Sequence, residues 1–137
     1  MNIAVVVARI LLGLAFVAAG VLGFIMINNP PPAPPGLAGA FQDVFFRSRW
    51  VLFVDAIELL AGAMLLANRF VPLALTLLGA VIANIIVYHI TLAPAGLPLA
   101  AIVTVLWSVV AARYRAGFAP LFAARAAPLR AAGASLT

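Results

Sequence analysis

An apolar run extends from Ile3 to Ile27 and is interrupted by a single charge, Arg9. A helix rises about 1.5 Å per residue, so this run is long enough to cross a hydrocarbon core about 30 Å thick. A cleaved signal peptide would have a shorter apolar region of about 7 to 15 residues, followed by a small-residue cleavage site. Because the run is longer and ends in Asn28-Asn29-Pro30, the sequence favours a retained membrane span.

Charge is too scarce in this chain to cover a surface that faces water. Hydrophobic residues make up 67% of the 137 residues and charged residues only 8%, whereas a soluble domain carries about 25% charged residues. Three acidic and eight basic side chains cannot solvate a protein of this length. The sequence therefore predicts an integral membrane protein.

Three further apolar runs follow, separated by turn-forming segments. The expected fold is an all-α, integral membrane four-helix bundle with spans at about 3–27, 49–67, 71–92 and 98–114. Residues 28–36 contain five prolines, which fix φ and lack N–H donors, so this loop should be extended and lie outside the membrane. We expect a short helix at the interface from Leu37 to Phe46, and Trp50 as an interfacial anchor at the start of the second span.

Residues 1–122 are predicted to form the transmembrane domain and residues 123–137 a basic, Ala-rich cytoplasmic tail. Phe118, Leu121 and Phe122 suggest an amphipathic segment on the membrane surface just before that tail.

The arginines predict the orientation of the bundle. Six arginines lie on the side of the termini and of the turn between the second and third spans, and only Arg47 and Arg49 lie on the other side. Short cytoplasmic loops carry the excess of positive charge, so both termini should be cytoplasmic. Because the arginines are spread over the ends of the spans and do not form one cationic face, we expect no binding to nucleic acid.

Polar residues inside so apolar a chain form the candidate site. Asp55, Glu58 and Gly62 are spaced i, i+3 and i+7 and therefore share one face of the second span. Asn84 lies one turn before Tyr88 near the end of the third span, where the antiparallel arrangement puts it level with Glu58. Burying a charge in the bilayer is costly, so these groups should point into the bundle. The predicted polar pocket opens outward beneath the proline loop and has these members: Arg9, Asp55, Glu58, Asn84, Tyr88 and His89.

Several chemistries fit part of this set. Arg9 is expected to reach Glu58 as its counter-charge. This ion pair would hold the helices of the bundle together and would take part in no chemical reaction. Glu58 and His89 could instead transfer protons, or hold the polar head of a quinone or a lipid in an otherwise apolar pocket. One histidine with two acids is a minimal donor set for a metal, and we expect no metal site. The chain has no cysteine, which removes thiolate and haem-attachment chemistry.

The order and spacing of several short motifs resemble the DoxX-like family over residues 5–122. These motifs are Arg9 with Gly13 and Gly20, the proline-rich loop, Glu58-Leu59-Leu60-Ala61-Gly62, the stretch 65–75, Asn84-Ile85 with His89, and Ala93-Pro94-Ala95-Gly96-Leu97-Pro98. The resemblance implies a four-helix bundle in the bacterial inner (plasma) membrane. It also implies that Arg9, Glu58, Asn84 and His89 are polar-core residues.

Members of this family include a subunit of thiosulfate:quinone oxidoreductase, components of oxidative-stress complexes and animal proteins that assist receptor assembly. We therefore expect an accessory or assembly protein that contacts membrane lipids and forms a homo-oligomer or a subunit of a membrane complex. Its polar pocket would hold a lipid or a quinone. The chain has no recognisable catalytic or cofactor motif, so an enzyme is not the first expectation. The alternatives are a quinone-linked oxidoreductase subunit and a small proton-coupled transporter.

Overall fold

A computed structural model describes residues 2–124 and shows a helical chain, without a strand in that range. The helices are α1 (Ile3–Met26), α2 (Leu37–Arg47), α3 (Trp50–Leu66), α4 (Val71–Thr91) and α5 (Leu97–Arg113), and two 3₁₀ segments cover Pro94–Gly96 and Arg115–Phe122. This confirms the prediction of an all-α fold. The predicted tail lies outside the described residues from position 125 onward, together with Arg125 and Arg130.

Three helical stretches are long and apolar enough to cross a membrane. They are Ile3–Met26, Val71–Thr91 and Pro94–Arg113, the last including the 3₁₀ turn that leads into α5. α3 is shorter, with 17 residues, where a span usually needs about 20. Together these helices are those of a multi-pass membrane protein.

The four longer helices pack in the order α1, α3, α4, α5, with α5 returning to contact α1, and α2 packs on α3. Their shared core contains the fully buried side chains of Leu12, Leu65, Leu75, Leu78 and Val110. Many equally large apolar side chains point away from this core and are exposed. A surface this apolar suits lipid, because in water it would form a large exposed hydrophobic patch.

α1 and α3 approach each other closely because glycines lie at their crossing. A Cβ atom placed on Gly62 of α3 would lie 2.9 Å from the Gly13 carbonyl oxygen of α1, and one on Gly20 would lie 2.7 Å from the Asp55 carbonyl oxygen. Close backbone approach at small residues is how membrane helices associate in the absence of a hydrophobic driving force.

The turn end of the bundle, defined here by the turn at 67–70 that joins α3 to α4, contains the hydrogen bonds between helices. The indole Nε1 of Trp107 in α5 donates to the Leu75 carbonyl of α4 over 2.8 Å. The hydroxyl of Tyr114, just after α5, donates to the side-chain oxygen of Asn68 in the turn over 3.1 Å. These bonds tie α5 to the α3–α4 hairpin.

The opposite end, which we call the loop end, consists of residues 27–36, α2 and the 3₁₀ turn Pro94–Gly96. α2 begins after Gly36, whose φ of +74° lies in the region that glycine adopts without strain. The side-chain amide of Gln42 donates to the Pro31 carbonyl over 2.7 Å, so α2 is fastened to the proline loop. The predicted interfacial helix from Leu37 to Phe46 therefore matches α2 to within one residue.

The segment that follows α5 contains the residues predicted to form an amphipathic piece. Residues Arg115–Phe122 form 3₁₀ turns with Pro120 inside them, and proline removes a donor that an α-helix would need. Phe118 packs partly against the core, while Leu121 and Phe122 are exposed.

Candidate functional site

A cavity of about 1020 Å³ lies between α3 and α4 beneath α2, and we call it the groove. Its walls combine aromatic rings with a small number of polar groups. The aromatic side chains are those of Phe41, Phe45, Phe46, Trp50, Phe53 and Tyr88, and the polar ones include Asp55, Glu58, Thr76, Asn84 and His89. The structure thus brings five of the six predicted site residues into the lining of one cavity.

α2 forms the roof of the groove through its aromatic residues. The Phe41 ring lies 5.3 Å from the ring of Tyr88 on α4, measured between centroids. Phe41 also stacks on Phe45 with 5.6 Å between the ring centroids. These distances are in the range at which aromatic pairs attract each other, so α2 is held across the α3–α4 hairpin at the loop end.

Asp55 lies where α3 crosses α1. Its side chain is only 6% exposed, and its carboxylate fills the space left by Gly23 of α1, since a Cβ atom there would overlap the Oδ2 atom. Oδ2 has no hydrogen-bond partner among the described residues. Because a buried carboxylate is costly without a partner, Asp55 is a group with unused capacity to bind.

Glu58 lines both the groove and a second cavity inside the bundle. It is 7% exposed and has no side-chain hydrogen bond to another residue of the described range. Besides the groove it lines a smaller cavity of about 270 Å³, which is enclosed mainly by residues of α1, α4 and α5. His89 also lines both cavities. These two side chains therefore stand between the groove and the interior of the bundle.

Asn84 and His89 each use one donor within the protein. The side-chain nitrogen of Asn84 donates to the Ala80 carbonyl one turn earlier, over 2.9 Å. Nδ1 of His89 lies 2.9 Å from the Ala93 carbonyl, and because a carbonyl only accepts, Nδ1 carries the proton in this contact. Gly96 makes room for the ring, since a Cβ atom there would overlap the imidazole. In the neutral ring Nε2 is then left as an acceptor.

The side chain of Tyr88 lies between α2, which forms the roof of the groove, and His89. Its ring contacts Phe41 above and meets the ring of His89 edge-on, with 5.1 Å between centroids. Tyr88 therefore packs against both neighbours and forms part of the wall of the groove.

Arg9 is outside the groove, and the expected pairing with Glu58 was wrong. Its guanidinium is 6% exposed and donates through Nη1 to the carbonyls of Leu65 and Leu66, at the last turn of α3. Within residues 2–124 the one ion pair joins Arg47 to Asp43. The negative end of a helix attracts a cation, and Arg9 lies level with that end, whereas Glu58 lies about two turns deeper.

Sequence reasoning missed Phe53 as a wall residue. Trp50, Phe53 and Ile57 are spaced i, i+3 and i+7, which places them on one face of α3 beside the acidic face. All three line the groove. That periodic stripe was the available signal, although on its own it equally fits a face that contacts lipid.

The lining of the groove has the composition of a binding site. An apolar, aromatic chamber that ends in a few polar groups is the usual form of a small-molecule site. In the described part of the chain no three histidine or acidic side chains are grouped closely enough to hold a metal ion. Comparison of the chain with protein-family models, with curated proteins and with solved structures finds no match.

Proposed function

We propose that this chain is a DoxX-like accessory protein of the bacterial inner membrane that holds an amphiphilic molecule in the groove. The polar head of that molecule, a lipid or a molecule of the quinone type, would lie at Asp55, Glu58, Asn84 and His89. Its apolar part would lie among the aromatic rings beneath α2. A partner complex or a second copy of the chain would interact with this protein through the groove.

The observation that supports this proposal is a groove whose lining combines aromatic rings with a few polar groups. Its volume of about 1020 Å³ is at the upper end of the range of about 300–1,000 Å³ that ligand sites occupy. Two buried acids are part of its lining. A bundle whose polar residues served only to join helices would need no such chamber.

The Ala80→Trp variant tests whether the groove is occupied. Ala80 lines the groove and is exposed, so a tryptophan at this position occupies space in the chamber. We expect the wild-type protein, purified in a mild detergent, to carry an amphiphile that mass spectrometry detects after solvent extraction. In Ala80→Trp the amount of this molecule per protein should fall several-fold.

Ala83→Trp is the matched control, because Ala83 is an exposed residue of α4 that does not line the groove. It should retain the amphiphile at the wild-type level. Equal retention in both variants, or a wild-type protein that carries no amphiphile beyond bulk lipid, would refute the proposal.

We further propose that α3 is a fourth span, so that both termini and the turn at 67–70 are cytoplasmic. α3 packs between α1 and α4 and begins at Trp50, a residue type that membrane helices place at the interface. A cysteine introduced as Ala33→Cys in the proline loop should react with an impermeant maleimide added to intact cells. Ala67→Cys in the turn should react only after lysis, and labelling with the reverse pattern would invert the proposed orientation.

A further inference from the structure

We infer, on the basis of the proposed amphiphile groove, that its ligand has a positively charged head of the ammonium class. The inference rests on three features of the groove: two buried acids without a cation, neighbouring acceptors that are left free, and aromatic walls. A ligand with a positively charged head would distinguish this site from one that binds a neutral quinone.

The two acids have no positive partner within the described residues. Asp55 and Glu58 are 6% and 7% exposed, and both line the groove. Arg9, the one buried cation of the described range, is engaged with the carbonyls at the end of α3. Removing a charge from water is repaid only when an opposite charge or hydrogen bonds replace the water. A cationic ligand would supply that missing partner.

The neighbouring side chains of Asn84 and His89 each have an acceptor that is left free. The Asn84 amide donates to Ala80, which leaves its side-chain oxygen free, and His89 donates through Nδ1 to Ala93, which leaves Nε2 free. A quinone has two carbonyl oxygens that can only accept, so these oxygens would pair with neither the acids nor these two acceptors. An ammonium group has donors and no acceptor, and therefore complements the site.

The rest of the groove also suits a cation. Trp50, Phe53 and Tyr88 line the same cavity as the acids. Aromatic faces attract cations, and the attraction is greater where water is excluded. Acids and aromatic rings in one chamber are the combination that recognises lipophilic ammonium groups, whether free amines or the head groups of aminophospholipids.

The test compares two ions of nearly equal size and shape, tetraphenylphosphonium and tetraphenylborate, by equilibrium dialysis against the protein in a neutral maltoside detergent. We expect the cation to bind and the anion to bind at least about tenfold more weakly. In Glu58→Gln and in Asp55→Asn the affinity for the cation should fall by about tenfold or more. Asp43→Asn is the control, because this exposed acid is paired with Arg47 and does not line the groove.

Competition identifies the head-group chemistry. Dodecylammonium should displace tetraphenylphosphonium, and dodecanol should not. In nanodiscs, displacement by phosphatidylethanolamine but not by phosphatidylglycerol would point to a lipid as the source of the ammonium group. Displacement only by dodecylammonium would point to a free amine, and both results support the inference.

Three outcomes would overturn the inference. The first is equal binding of both tetraphenyl ions that Ala80→Trp abolishes, in which case the groove still holds amphiphiles and only the preference for cations is lost. The second is cation binding that is the same in Glu58→Gln, Asp55→Asn and the wild type. The third is displacement by a long-chain hydroquinone as strong as that by dodecylammonium, since a neutral donor would then suffice. Failure of the proposed function is recognised separately, by the absence of any extracted amphiphile.

Discussion

Gly62→Leu is expected to lower the free energy of unfolding by about 3 kcal/mol, at the upper end of the usual cost of overpacking. A Cβ atom at this position would lie 2.9 Å from the Gly13 carbonyl oxygen and 2.9 Å from the Val17 amide nitrogen. Both atoms belong to the backbone of α1, which cannot rotate away as a side chain can. The larger side chain therefore forces α1 and α3 apart. Unfolding titrations in mixed detergent micelles would measure the loss.

Ala63→Leu is the control for this prediction. Ala63 is the next residue of α3 but is exposed, so the same side chain is added to the same helix without meeting α1. We expect a change of less than about 0.5 kcal/mol, as for most substitutions on a surface. If both leucine variants were equally stable, the close glycine contact between α1 and α3 would not contribute to the stability of the bundle.

Arg9→Leu should destabilise the protein by about 1.5–3 kcal/mol, the range for hydrogen bonds made by a charged group. Arg9 donates to the carbonyls of Leu65 and Leu66, so its loss weakens the link between α1 and the last turn of α3. Arg47→Leu is the matched control, because Arg47 is exposed and its ion pair with Asp43 should contribute less than about 1 kcal/mol. A smaller effect at Arg9 than at Arg47 would contradict this account.

A double-mutant cycle with Glu58→Gln separates the observed role of Arg9 from the one that the sequence suggested. Residues that do not share a contact lose stability additively, so we expect a coupling energy of less than about 0.5 kcal/mol. If Arg9 were the counter-charge of Glu58, the coupling energy would exceed about 1 kcal/mol. The cycle thus measures directly whether the two groups act as a pair.

The sequence was sufficient to predict where the helices begin and end. The run from 71 to 92, for example, became Val71–Thr91, and the run from 49 to 67 became Trp50–Leu66. These boundaries are strong because prolines and polar residues interrupt long apolar runs, and both effects act locally along the chain. Glu58, Asn84 and His89 were placed near one another for the same reason, since the antiparallel hairpin determines their depth.

The partner of Arg9 could not be predicted in this way. Periodicity gives the face and the depth of a side chain, but it does not show which backbone carbonyls remain available at the end of a neighbouring helix. An acid is visible in the sequence and a free carbonyl is not, so Glu58 was the natural candidate. The position of α2 is a similar case. Its helical pattern was apparent, but its placement over the groove depends on the Phe41–Tyr88 contact, which joins residues far apart in the chain.

The hydrogen bonds between the long helices have a mechanical consequence. Those made by side chains of the described residues lie in the half of the bundle nearest the turn, where Arg9, Trp107 and Tyr114 donate to other segments. Near the loop end, Gln42 and His89 bond within their own locality. In the described residues, side-chain hydrogen bonds thus hold the long helices together at the turn end and not at the loop end. The mouth of the groove can therefore widen by breaking apolar contacts alone, so the binding site that we propose would accept ligands of different width.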